Sequence, residues 1–120
     1  MSTLELENVS KQFGAVAALE PLDLRIANGE LVCLLGPSGS GKSTLLRIIG
    51  GFEMPTEGKV LIDGSDVART PPEKRPTAMV FQSHALWGHM TVEGNIGFGL
   101  KLRGLRKQDI AAKVEAALKL

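Results

Sequence analysis

The sequence predicts an α/β fold, a mainly parallel sheet with an antiparallel portion built from its amino-terminal strands. Three observations carry that expectation. Segments within the first 26 residues alternate polar and apolar, whereas Leu31-Val32-Cys33-Leu34-Leu35 and Ala78–Phe81 are apolar on both faces, the pattern of strands covered on two sides. The first apolar run leads straight into a glycine-rich loop, Gly36-Pro37-Ser38-Gly39-Ser40-Gly41-Lys42-Ser43. A helical apolar pattern, with Leu45, Leu46, Ile48 and Ile49 expected to face the core, follows at once.

In chain order, Leu4 to Val9 alternates loosely and reads as a strand. Leu22, Leu24 and Ile26 alternate with Asp23 and Arg25, a half-buried strand. Asn28-Gly29 makes a hairpin turn, since both residue types accept positive φ. The helix after the loop runs from about Lys42 to Ile49 and stops at Gly50-Gly51. Val60 to Ile62 is a short strand closed by Asp63-Gly64, and Thr70–Pro76 is a proline-stiffened connection unsuited to a sheet interior. Gln82 stands at the carboxyl end of the Ala78–Phe81 strand. Thr91 caps a helix from Val92, with Glu93 well placed for the dipole; Gly94, Gly97 and Gly99 weaken it by about 1 kcal/mol each relative to alanine. A last amphipathic helix begins near Lys107, with Ile110, Val114, Ala117 and Leu118 on one face. That pattern runs to Leu120 without a cap, which reads as truncation.

Composition limits the function classes. The 120 residues are 43% hydrophobic and 22% charged with a net charge of +1, which fits a soluble globular chain and gives no reason for bulk nucleic-acid or anionic-membrane binding. The basic group Lys101, Arg103, Arg106 and Lys107 reads as a solvated helix end. Cys33 is the one cysteine; it forms no internal disulfide, is expected to be buried, and points to a reducing cytosol. Residues 1–20 carry no signal-peptide pattern, and no run approaches a membrane span. His84 and His89 have no cysteine or carboxylate at metal-ligand spacing, so a zinc site is not expected.

The glycine-rich loop carries the chemistry. Glycine, four residues, glycine, lysine and serine, set between an apolar strand and an apolar helix, is the spacing of a P-loop. Gly36, Gly39 and Gly41 let the backbone take conformations that a side chain forbids. The amides then form a concave anion nest, to which the next helix adds free N–H groups and a positive dipole end. Lys42 supplies a point charge for the outer phosphates, and Ser43 offers a hydroxyl to magnesium. The ligand this implies is a nucleotide triphosphate, ATP with Mg2+, bound by Gly36, Pro37, Ser38, Gly39, Ser40, Gly41, Lys42, Ser43 and Thr44 on a P-loop NTPase core. Three other positions admit two readings. Gln82 is a ligand contact at a strand end or a surface glutamine. Phe13 stacks on a base or fills a small cluster. Trp87 belongs to a partner surface or to a satellite core.

With these residues in view, the chain resembles the amino-terminal half of an ABC-transporter ATPase subunit over nearly its whole length. The resemblance rests on Val9-Ser10-Lys11-Gln12-Phe13-Gly14, the P-loop through Thr44, Gly51-Phe52-Glu53, Pro55–Gly58, Ile62-Asp63-Gly64, Met79–Ser83, Ala85–Val92 and Asn95-Ile96. Lys74-Arg75-Pro76 and Gly97–Leu100 are similar to bacterial importers of polyamines, sugars and ferric iron, polyamine importers above all. The resemblance implies that residues 1–120 are the amino-terminal part of one nucleotide-binding domain. It further implies that Phe13 stacks on adenine, and that Gln82 completes the magnesium shell with Ser43 and serves catalysis with Lys42. Ser83–Val92 would touch the transmembrane permease. A second ATPase subunit would pack head to tail, with the protein peripheral on the inner face of the cell membrane. Gly88 stands where the family usually has proline, which predicts a more mobile permease-facing loop.

The family's signature motif, catalytic glutamate, second magnesium aspartate and switch histidine do not occur in the 120 residues. The resemblance therefore implies ATP binding with little or no turnover by this chain alone. A bare nucleotide-binding module is the alternative reading. A small-substrate P-loop kinase fits the hairpin before the loop and the Gln82 segment poorly.

Overall fold

In the computed structural model, which describes residues 2–120, the chain forms two compact units, Met1–Met79 and Val80–Leu120.

The first unit holds β1 (Leu4–Phe13), β2 (Val16–Ile26), α1 (Lys42–Gly50), β3 (Glu57–Ile62) and β4 (Ser65–Asp66). The sheet order is β2-β1-β3-β4 and every pairing is antiparallel. Phe13 pairs with Val16 across a two-residue turn in which Gly14 takes φ 59°. Leu6 and Val9 both reach the core although they lie an odd number of residues apart, because the β1 register shifts between them. The irregularity centres on Asn8, at φ 50°, whose N–H donates to Asp23 Oδ1 at 2.7 Å. A bulge of this kind re-aims the following side chain. Gly58 passes so close to the Glu7 and Asn8 carbonyls that a Cβ would collide with both.

One face of α1 completes the core. Leu45 and Ile48, one turn apart, pack with Leu6, Val9, Val60, Ile62, Val67 and Ala68. Each such burial contributes about 1.5–3 kcal/mol for the larger side chains. Leu46, expected on the core side, is exposed instead, and Ile49 is half-buried. The helix stops where expected: Gly51 takes φ 83°, its N–H reaching Ile48 O, while Phe52 N–H donates to Arg47 O at 2.9 Å.

Arg75 closes this unit from below. It is 6% exposed. Its Nη1 donates to Ile48 O and Ile49 O, Nη2 to Ala68 O and Nε to Thr70 O, at 2.7–3.1 Å. A cation thus sits on the last carbonyls of α1, where the helix dipole favours it. Burial pushes the guanidinium's pKa down, and Asp66 opposes that.

The antiparallel amino-terminal portion is formed as expected. The parallel portion does not appear among the described residues, since neither 31–35 nor 78–81 belongs to a strand. Burial still alternates along 31–35: Val32 and Leu34 are half-buried, while Leu31 and Leu35 are 90% and 92% exposed. A parallel strand needs a non-local neighbour to pair its N–H and C=O groups, and no described strand pairs with this one. Cys33, expected to be buried, is exposed for the same reason. The Asn28-Gly29 turn forms, with Gly29 at φ 80° and Glu30 N–H on Ala27 O, but it joins β2 to an unpaired segment.

The second unit is a helical hairpin, α2 (Val92–Leu102) and α3 (Lys107–Leu118), joined through Gly104 at φ 75°. Thr91 Oγ1 accepts from Gly94 N–H at 3.0 Å, the expected N-cap. Gly97 is buried, and a Cβ there would lie 3.0 Å from Ile110 Cγ2 and 3.5 Å from Val114 Cγ2. The absent side chain is therefore what lets α2 and α3 approach. Of the expected α3 face, Val114 is buried and Ile110 half-buried, while Ala117 and Leu118 are exposed.

Candidate functional site

The P-loop follows the apolar run and wraps the amino end of α1. Gly39 and Gly41 take φ 80° and 92°, the left-handed region that glycine occupies without strain. Gly36 is required for a different reason: a Cβ there would lie 2.7 Å from Ser40 Oγ. Gly41 is the N-cap of α1 and supplies no side-chain cap. The first intrahelical bond runs from Leu45 N–H to Gly41 O at 2.8 Å. The amides of the first turn precede it, and such amides normally lack intrahelical partners. The first turn holds no acidic residue. An anion here meets donors and a positive dipole end with no opposing carboxylate on that turn.

Lys42 lies over this turn and folds back into its own loop. Its ammonium donates to Gly36 O at 2.6 Å, Pro37 O at 2.7 Å and Ser40 Oγ at 3.0 Å. Three hydrogens meet three acceptors, so the charge is held at the centre of the loop. Ser43, the second residue of α1, is exposed and presents a hard oxygen beside the loop. A groove of about 460 Å³ opens here, floored by Ser38–Thr44 and walled by Val16, Ala17 and Ala18 of β2.

Phe13 ends β1 opposite Val16, the first residue of that wall. Its ring is 50% exposed and carries the Lys11 ammonium 4.8 Å from the centroid. The aromatic position and the phosphate loop thus belong to one unit.

Gln82 lies in the second unit and is exposed. It starts a turn in which His84 and Ala85 take φ 63° and 50° and His84 N–H donates to Phe81 O. From Trp87 onward the loop is tied down. Asn95 Oδ1 accepts from Trp87 N–H at 2.8 Å, and Asn95 Nδ2 donates to Trp87 O at 3.2 Å and Thr91 O at 3.0 Å. Trp87 also packs on Phe98, with ring centroids 4.6 Å apart. The mobility expected from Gly88 is opposed by this clamp. Trp87 therefore packs on a satellite ring of its own unit while remaining 44% exposed. Among the described residues no cluster of His, Cys, Asp and Glu is arranged to hold a metal ion.

Sequence reasoning missed Lys11, Arg75 and Asn95 as organising residues. Lys11 stands two residues before Phe13, which on a strand means the same face. That signal was available; the carbonyl partners of Arg75 and Asn95, set by tertiary structure, were not.

Fold and loop together define a P-loop nucleotide-binding protein. Residues 19–120 match the family described as ABC transporter, and the chain belongs to that family. It is 52% identical over 118 residues to the spermidine/putrescine import ATP-binding protein PotA of Nitrosomonas europaea, covering 98% of this chain and 33% of that protein. It is 47% identical over 117 residues to the Fe(3+) ions import ATP-binding protein FbpC of Pasteurella multocida, covering 98% and 34%. The fold matches the ATP-binding cassette MJ0796, solved as a post-hydrolysis dimer with ADP and Pi, at a TM-score of 0.86 and 32% identity, over 97% of this chain and 56% of that one. The chain thus spans about a third of the length of the curated relatives it matches.

Proposed function

We propose that this chain binds ATP with magnesium, as the amino-terminal part (residues 1–120) of one nucleotide-binding domain in the ATPase subunit of an importer. The observation that carries the reading is Lys42, held over an acid-free helix start by carbonyls that a phosphate chain replaces. In this reading residues Gly36 to Thr44 hold the phosphates, through the backbone N–H groups of all but Pro37, which has none; Lys42 neutralises the outer phosphates, and Phe13 stacks on adenine. Ser43 and Gln82 would hold magnesium, whose charge offsets that of the β- and γ-phosphates. Lys42 and Gln82 are the groups of this chain that act on the transferred phosphoryl group.

The solute favoured is a polyamine, supported by the relatives named for spermidine/putrescine import. Ser83–Val92 is proposed as the surface for the permease, and the cassette dimer among the solved relatives supports pairing with a second ATPase subunit. No described helix is long and apolar enough to cross a membrane, so the proposed association with the inner membrane face is through those partners. By itself the chain is proposed to bind ATP without multiple turnover, since among the described residues no water-positioning group is identified beside Lys42 and Gln82. The test joins the whole protein to its permease subunits in vesicles. ATP-dependent spermidine uptake that is lost in Lys42→Ala supports the reading; uptake of ferric iron in place of polyamine overturns the solute.

A further inference from the structure

Lys11 and Phe13 share one face of β1, and the ammonium sits over the ring. That ammonium is held from two other sides. It pairs with Glu53 Oε1 at 2.6 Å and donates to Met54 O at 2.8 Å, and the side chain is only 13% exposed. Glu53 and Met54 come two and three residues after Gly51, the C-cap of α1, and Glu53 N–H donates to Arg47 O within that helix. One chain of contacts therefore joins the helix that starts at the phosphate loop to the ring at the hairpin end. The ring itself stays half exposed, with the cation on one face.

We propose that Lys11 is a positioning residue for the nucleotide base: held by Glu53 and Met54 against one face of Phe13, it fixes the ring and prepares the opposite face to stack a purine. Two physical effects act together. An aromatic face is electron-rich and repels the face of a second ring; a cation on one side draws π density toward itself and lessens that repulsion on the other. The Lys11 contacts also restrict the ring before the ligand arrives, so less freedom is lost on binding. The inference rests on the reading of Phe13 as the base-stacking residue.

The test compares two ligands that differ in the base: magnesium-ATP and magnesium tripolyphosphate, each titrated calorimetrically into the chain and its variants. Lys11→Met keeps the aliphatic stem and removes the charge. It should weaken ATP about fivefold, the size of a partly shielded cation–π contact, and leave tripolyphosphate within twofold. Lys11→Arg keeps a cation over the ring and should recover ATP affinity. Glu53→Gln, which removes the ion pair and loosens the ammonium without touching β1, should weaken ATP in the same base-dependent way, by less than Lys11→Met because the Met54 carbonyl still holds the ammonium. Equal losses for both ligands, or no loss for ATP in Lys11→Met with an unchanged melting curve, overturns the proposal. Phe13→Ala separates this result from the underlying reading. If Phe13→Ala leaves ATP affinity intact, base stacking fails and the role of Lys11 fails with it. If Phe13→Ala selectively weakens ATP while Lys11→Met and Glu53→Gln do not, only the role of Lys11 is overturned.

Discussion

Lys42 spends its three hydrogens on acceptors of its own loop, so binding a phosphate chain is an exchange of partners rather than a simple gain. Lys42→Ala should therefore leave the fold nearly unchanged while removing a charge-assisted contact to the phosphates; a loss of about 30-fold or more in ATP affinity is expected. Arg75 predicts the opposite separation. Its guanidinium satisfies four carbonyls, and no other side chain supplies that fork. Arg75→Met should destabilise the protein by about 3 kcal/mol, the cost of leaving buried acceptors unpaired, readable as a lowered denaturant midpoint. Arg75→Lys, with donors radiating from one point, should recover less than half. Glu53 sets a pH limit. The Lys11 ammonium holds its carboxyl pKa below the ordinary value of 4.5. A depressed carboxyl contributes fully above its unfolded-state pKa and loses that contribution as pH falls through the folded one. Phe13-dependent ATP affinity should thus be flat from pH 8 to about pH 5 and decline only below 4.5; a decline centred near neutrality would contradict the pairing.

At the scale of elements, α2 separates two roles of glycine. A Cβ on Gly99 meets nothing within 4 Å, whereas one on Gly97 comes to 3.0 Å from Ile110 on α3. Gly99→Ala should stabilise the protein by about 1 kcal/mol, the helix-propensity difference, while Gly97→Ala should gain nothing or lose stability as the helices part. Thermal melts of the two variants check this. Equal gains would mean that the α2–α3 contact is looser than the structure indicates. By propensity both glycines weaken the helix; only the packing distinguishes them, and packing against Ile110 and Val114, in the next helix, is not written in local propensity. Other elements were legible because their causes are local. The hairpin strands show in period-two alternation, the α1 stop in Gly50-Gly51, and the α2 start in Thr91. Phosphate chemistry was legible because a P-loop needs its residues at fixed spacing in one short stretch. The runs at 31–35 and 78–81 were legible as apolar but not as unpaired, since pairing depends on a distant neighbour.

Across the whole molecule, the residues expected to bind nucleotide and metal fall in two units. Phe13, the P-loop and Ser43 belong to Met1–Met79, and Gln82 with the Trp87 loop belongs to Val80–Leu120. Each unit has its own means of order: the first a core of α1 against a four-stranded sheet with Arg75 beneath it, the second a helical hairpin with Asn95 fastening the loop. Base and phosphate recognition should therefore depend on Phe13 and the P-loop of the first unit. The loop is proposed as a magnesium-nucleotide site centred on Lys42. Isothermal titration of ATP into the chain, with and without magnesium and in parallel into Lys42→Ala, tests it most directly. Saturable one-to-one binding that strengthens with magnesium and is lost in Lys42→Ala at an unchanged melting temperature is the predicted result. Binding retained by Lys42→Ala, or no binding by a folded chain, would contradict it.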